Sequence, residues 1–237
     1  MVDSPSAKKR VRSSVSFPAA GVSLAAELGN SPELGDGSAR RGLIVFAHGS
    51  GSSRLSPRNQ FVASILEDHG FATLLLDLLT EDEQYVISKR FDIALLTTRL
   101  VEALHWVREH PLLRQLAIGL FGSSTGAAAA LRAAAVAHSS VLAVVSRGGR
   151  TDLTGPLVTQ VRAATLLIVG SEDKDVLALN QETLTQLRCE KRVAVIPGAT
   201  HLFEEQGALD DVAHLAAYWF KNHLIPAAEH GSPPALV

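Results

Sequence analysis

From Leu43 onward the chain alternates two hydrophobic patterns. Short apolar runs stand at Leu43-Ile44-Val45-Phe46-Ala47, Phe71 to Leu79, Leu116 to Phe121, Val141 to Val145 and Thr165 to Val169, with a last short one at Arg192 to Ile196. Runs of this length without polar alternation predict strands buried on both faces of a parallel sheet. Between them, apolar residues recur every three or four positions, as helices require. Phe61, Val62, Ile65 and Leu66 share one face of a segment that Ser56-Pro57 opens and Gly70 ends. Phe91 to Val107 carries apolar residues at 96, 100, 103, 104 and 107 and is halted by Pro111. Ala127 to Ala137 is rich in the strongest helix former, a further helix is expected through about Leu187, and Leu209, Val212, Ala216, Trp219 and Phe220 mark a last buried face.

Ahead of this alternation, Val11 to Phe17 and Val22 to Leu28 read as two strands of a hairpin around Pro18-Ala19-Ala20-Gly21. Glu81 to Arg90 is a charged connector without a strong pattern. The sum is an α/β class protein with a doubly wound parallel sheet and helices on both faces. One domain is expected over 11–225, with flexible tails at 1–10 and 226–237. The interval 146–163 is too short for a separate lid domain.

Composition narrows the function. At 237 residues and 46% apolar content there is ample material for one continuous core. A formal net charge of −2 supplies no basic field for nucleic acid and no polybasic patch for anionic lipid. Lys8, Lys9, Arg10 and Arg12 form a solvated basic cluster in a segment lacking the apolar stretch of a secretory signal. No stretch approaches the roughly 20 apolar residues of a membrane span. The only cysteine, Cys189, excludes an internal disulfide framework and fits a reducing compartment. No metal-ligand spacing appears, so no metal is expected. The expectation is a soluble cytoplasmic protein acting on a small molecule, with no nucleic acid or membrane partner and a homodimer as the assembly left open.

The chemistry concentrates at strand ends. Gly122-Ser123-Ser124-Thr125-Gly126 lies between an apolar strand and the alanine-rich helix, the strand-turn-helix context that a G-x-S-x-G elbow needs. Small residues two before and two after the serine let strand and helix pass closely. Ser124 is therefore the candidate nucleophile, with the Thr125 amide directed at charge building on a substrate oxygen. The loop His48-Gly49-Ser50-Gly51-Ser52-Ser53-Arg54 lacks the fingerprints of nucleotide loops; its Ser50 amide is the candidate second oxyanion donor. His48 is read as an anchor of that loop, Asp77 as a structural carboxylate, and Arg54 as either a contact to an anionic substrate group or a brace of the loop. Arg147, in an expected loop Ser146-Arg147-Gly148-Gly149-Arg150, is a candidate substrate-carboxylate contact at a place where arginines are usually just solvated.

Two further strand ends deliver an acid and a histidine. Glu172, Asp173 and Asp175 follow Gly170; the Gly-x-x-Asp spacing puts Asp173 at the strand tip, and Asp175 suits the cap of the next helix. His201 follows Pro197-Gly198-Ala199-Thr200 and precedes the last helix. The order nucleophile, acid, histidine is that of α/β-hydrolases. A serine hydroxyl needs such a base to attack, and the base needs a carboxylate to fix its tautomer.

The motifs HGSGSS, GSSTG, GSEDKDV and PGATH, in that order and across about residues 15 to 224, resemble the dienelactone hydrolase family within the α/β-hydrolase fold. The resemblance implies an eight-stranded sheet with one antiparallel strand and no large cap domain. It further implies Ser124, Asp173 and His201 as triad, the Ser50 and Thr125 amides as oxyanion hole, and no cofactor. Dienelactone hydrolases proper use a cysteine nucleophile; the serine here favours ordinary carboxylic esters through an acyl-enzyme. The competing readings are an acyltransferase, lactone hydrolase or peptidase on the same scaffold, or a non-catalytic binding member of the fold.

Overall fold

The structure, a computed structural model, describes residues 12–30, 41–137 and 139–225. Both tails expected from the sequence lie outside the described residues. Eight strands form one sheet: β1 Arg12–Ala19, β2 Val22–Gly29, β3 Leu43–Ala47, β4 Ala72–Leu76, β5 Ile118–Ser123, β6 Val141–Arg147, β7 Ala164–Gly170 and β8 Lys191–Ile196. Their order is β1-β2-β4-β3-β5-β6-β7-β8. Only β2 runs against the rest, antiparallel to both β1 and β4. The remaining neighbours pair in parallel, so the loops that carry chemistry emerge along one rim.

The helices are α1 Pro57–Asp68, α2 Ile87–Arg90, α3 Ile93–Glu109, α4 Thr125–Val136, α5 Lys174–Gln186 and α6 Ala208–Leu224. A 3₁₀ turn at Glu83–Tyr85 precedes α2, and Thr151–Gln160 is a 3₁₀ segment kinked at Gly155. Among the described residues no cap domain is inserted. Each sheet face has its own core: Val62, Leu66, Val212, Ala216 and Phe220 of α1 and α6 pack with Ile44, Phe46, Phe121 and Val145. Leu100, Leu104, Ala130 and Ala134 of α3 and α4 pack with Val45, Leu120 and Val144 on the other face. Gly119 exists because of this layering: a Cβ there would stand 2.6 Å from the Phe220 ring.

Boundaries differ from the sequence reading at instructive places. The hairpin turn is Ala20-Gly21 alone, both at positive φ, and Pro18 lies within β1. That position is tolerated because β1 is an edge strand and a proline has no amide to give. β4 stops at Leu76 although the apolar run continues to Leu79. Asp77 N–H still bonds to Ala25 O, but Leu78 N–H turns to the His48 ring. The supposed loop at Ser146-Arg147 is strand: β6 runs through Arg147, paired with Ser123 on one side and Ile168 on the other.

Candidate active site

The elbow comes first. Ser124 adopts φ 50° and ψ −121° between β5 and α4, a conformation that side chains rarely take. Its backbone is held on three sides: its N–H donates to Arg147 O at 3.2 Å, and its carbonyl accepts from Ala127 at 3.1 Å and Arg150 at 3.0 Å. The flanking glycines are steric necessities. A Cβ on Gly122 would meet Ala127 Cα at 2.5 Å, and one on Gly126 would meet Ala47 O at 2.2 Å and His48 O at 2.4 Å.

Asp173 and His201 meet at the same rim. The His201 Nδ1–H donates to Asp173 Oδ2 at 2.6 Å, with the carboxylate largely covered. A carboxylate only accepts, so this bond fixes the proton on Nδ1 and leaves the Nε2 lone pair free. Asp173, rather than Asp175, is the N-cap residue of α5, yet its side chain makes no capping bond because His201 takes it. The acid and histidine loops are stitched together by Glu172 N–H to Ala199 O at 3.0 Å and Gly198 N–H to Ser171 Oγ at 2.8 Å. Gly170 permits that approach, since a Cβ there would lie 2.1 Å from Ala199 O.

Ser124 and His201 are linked through a shared neighbour. Gly148 directly follows Arg147, whose carbonyl binds Ser124, and a Cβ on Gly148 would lie 3.4 Å from His201 Nδ1. Among the described residues Ser124 Oγ makes no hydrogen bond to the imidazole at rest. Such bonds are often long in unliganded enzymes and tighten with substrate.

The oxyanion loop meets the elbow through one atom pair. The Ser50 N–H donates to Thr125 Oγ1 at 2.9 Å, so at rest that amide is committed to a side chain. His48 holds the loop as the sequence suggested: its Nε2 accepts from Leu78 N–H at 2.9 Å and its Nδ1–H donates to Gly49 O at 2.9 Å. Burial pushes its pKa below the usual imidazole value, more than the Gly49 bond and the Asp77 charge restore.

The two candidate anion-binding arginines part company. Arg54 is spent on Asp77: its N–H donates to Oδ1 at 2.6 Å and its guanidinium pairs with Oδ2. It lines a polar cavity of about 410 Å³ with Asp77, Thr80, Glu81 and Gln84, none of the triad candidates among the lining residues. Arg147 is buried rather than a solvated loop residue, with its guanidinium 6.0 Å from the Phe121 ring centre. Its Nη1 has no hydrogen-bond partner, and among the described residues no carboxylate pairs with it. Burial, and then the Arg58 charge, push its pKa down to about 10. The signal for this was present: Arg147 is two positions after Val145 on what is one strand, hence on the same buried face.

No family model matches the sequence. The solved structure of dienelactone hydrolase from Anabaena variabilis superposes with a TM-score of 0.86 at 47% identity, covering 91% of this chain and 99% of that one. The chain belongs to the dienelactone hydrolase family. More distant folds agree: the Butyrivibrio proteoclasticus protein Est1E matches with a TM-score of 0.70 at 15% identity over 88% of this chain and 96% of its own. A Pyrococcus furiosus esterase gives 0.73 at 16% identity over 90% and 93%. A curated Mycobacterium tuberculosis relative, provisionally named a phosphoribosyl transferase, is 53% identical over 184 residues, which is 78% of this chain and 42% of that protein. The chain thus spans about two fifths of the length of the curated relatives it matches. Among the described residues no helix is long and apolar enough to cross a membrane, and no cluster of His, Cys, Asp or Glu could hold a metal ion.

Proposed function

We propose that the protein is a serine hydrolase that cleaves small carboxylic esters through Ser124, His201 and Asp173. The observation that carries this is the 2.6 Å Asp173–His201 bond at the rim where the strained elbow presents Ser124. His201 Nε2 takes the Ser124 proton as Oγ attacks the ester carbonyl, and the imidazolium is stabilised by Asp173. Collapse of the tetrahedral intermediate breaks the carbon–oxygen bond to the alcohol, which leaves with the proton from Nε2. Water, deprotonated by the same nitrogen, then releases the acid and restores Ser124. The Thr125 amide, at the start of α4, is the backbone donor for the oxyanion. Changing Ser124 to Ala is expected to lower kcat on a nitrophenyl ester by about 10⁶. Unchanged turnover in the folded variant would refute the assignment.

Arg147 favours an acidic substrate. A buried guanidinium without a carboxylate is costly unless a ligand supplies the counter-charge, and at pH 7 it stays protonated. An ester bearing a carboxylate is therefore expected to outperform its neutral isostere. Replacing Arg147 with Met should erase that preference, read as the ratio of kcat/KM values, while leaving the neutral ester within about threefold. A preference that survives the substitution would remove Arg147 from substrate binding. The transferase name belongs to longer relatives of which this chain covers 42%, and no observation at the site carries that activity.

A further inference from the structure

A buried hydroxyl next to Ser124 is not used by this reaction. Thr125 is 2% exposed and stands directly after Ser124 at the first position of α4. Its Oγ1 accepts the Ser50 amide, but a hydroxyl also has a proton to give. Among the described residues that proton has no acceptor. Two buried threonines inside helices return theirs to the carbonyl four residues back, Thr97 to Ile93 O at 2.6 Å and Thr183 to Leu179 O at 2.9 Å. Thr125 opens its helix and has no such carbonyl behind it. An unused buried donor beside the nucleophile is a group held for a ligand oxygen.

The surroundings leave little room for another arrangement. Thr125 Oγ1 lies one hydrogen-bond length from Ser50 N, the place an oxyanion bound by that amide would occupy. The loop cannot easily retreat or advance: a Cβ on Gly49 would stand 3.0 Å from Ser124 Cβ and 3.1 Å from Ser123 O. Gly126 seats the other side against Ala47 O and His48 O. The amide and hydroxyl of one residue are three bonds apart, so both can converge on a single oxygen.

We propose that the Thr125 hydroxyl is itself an oxyanion donor, and that the Ser50 amide acts through it rather than on the substrate. The chain runs from Ser50 N–H to Thr125 Oγ1, and from Oγ1–H to the oxyanion, with the first bond polarising the second. The inference rests on the ester hydrolase reading and adds a catalytic side chain to it.

The test compares wild type, Thr125→Ser, Thr125→Val, Thr125→Ala and Ser124→Ala. It measures kcat and KM on one nitrophenyl ester, the inhibition constant of the matching trifluoromethyl ketone, and the melting temperature. The ketone forms a serine adduct whose oxyanion reports on the donors alone. Thr125→Ser is expected to keep kcat within about threefold, whereas Thr125→Val lowers it about 10²- to 10³-fold and weakens the ketone by the same factor with KM little changed. Thr125→Ala, which vacates the Ser50 amide, is expected at least about tenfold below Thr125→Ser. A folded Thr125→Val with kcat within about threefold of wild type would overturn the proposal. Should that variant not fold, Thr125→Ala matching Thr125→Ser, or exceeding wild type, overturns it equally. In either case an inactive Ser124→Ala leaves the hydrolase reading standing, and an active one shows that the reading itself has failed.

Discussion

Ser124 holds a backbone conformation that costs on the order of 1–3 kcal/mol for a residue with a side chain, and the glycines around it make that conformation buildable. Their roles are separable. Gly126→Ala drives a methyl into two backbone carbonyls and is expected to destabilise by about 3 kcal/mol or more, read in the urea midpoint. Gly49→Ala meets Ser124 Cβ at 3.0 Å and Ser123 O at 3.1 Å, contacts that a shift of a few tenths of an ångström relieves, and is expected to fold but to turn over slowly. Equal stability of the two variants would refute the distinction. His48 sets a pH limit of its own. Burial depresses its folded pKa, so below its ordinary value of 6.5 the unfolded chain takes up a proton that the folded one resists. Stability is full above 6.5 and declines as pH falls toward the folded value. In His48→Asn the slope of unfolding free energy between pH 6.5 and 5 should be shallower than in wild type; an equal slope would clear His48. At this scale the pairing of Asp173 with His201 and the elbow at Ser124 were legible, because each of the three residues stands in a motif at a strand end. The bonding of Thr125 Oγ1 to Ser50 was not legible, since the two positions are 75 residues apart and only folding brings them to 2.9 Å.

Elements were legible where burial and pattern coincide. β3 is Leu43–Ala47, residue for residue the apolar run. β6 outlasts its apolar run by two residues because ladder bonds to β5 and β7, not hydrophobicity, decide where it ends. The connector 81–90 was opaque for a different reason: its order comes from a tertiary ion pair. Glu83 accepts from Arg99 Nη1 at 2.5 Å and Nη2 at 2.9 Å, and Arg99, 1% exposed, also donates to Leu78 O. Lys89 adds a further bond to Glu83 at 2.8 Å. Arg99 above all, with burial opposing, holds the Glu83 carboxyl well below its ordinary value of 4.5. Its contribution is therefore complete above pH 4.5 and is lost as pH falls below it. Glu83→Ala strands the Arg99 charge and is expected to cost about 3–5 kcal/mol at pH 7, with the deficit shrinking in acid. A loss below about 1 kcal/mol would mean that the connector is held by other contacts.

At the scale of the molecule, the parallel sheet sends three loops to one rim, and the two covered faces leave that rim as the place where polar side chains gather. Fold and family were readable in the order of the four motifs, because each marks a strand end whose position the alternation of strands and helices dictates. Arg147 was less readable: an arginine in a loop is usually solvated, and only the sheet shows this one buried, with no carboxylate paired to it among the described residues. The proposed mechanism requires that Ser124 becomes acylated during turnover. Rapid quenching of the reaction with a slowly deacylating nitrophenyl ester, followed by mass spectrometry of the digested protein, tests it directly. The expected result is the acyl mass on the peptide containing Ser124, rising with the nitrophenol burst and absent from Ser124→Ala. Continued ester hydrolysis with no acyl mass on that peptide, or with the mass on another residue, would contradict the account.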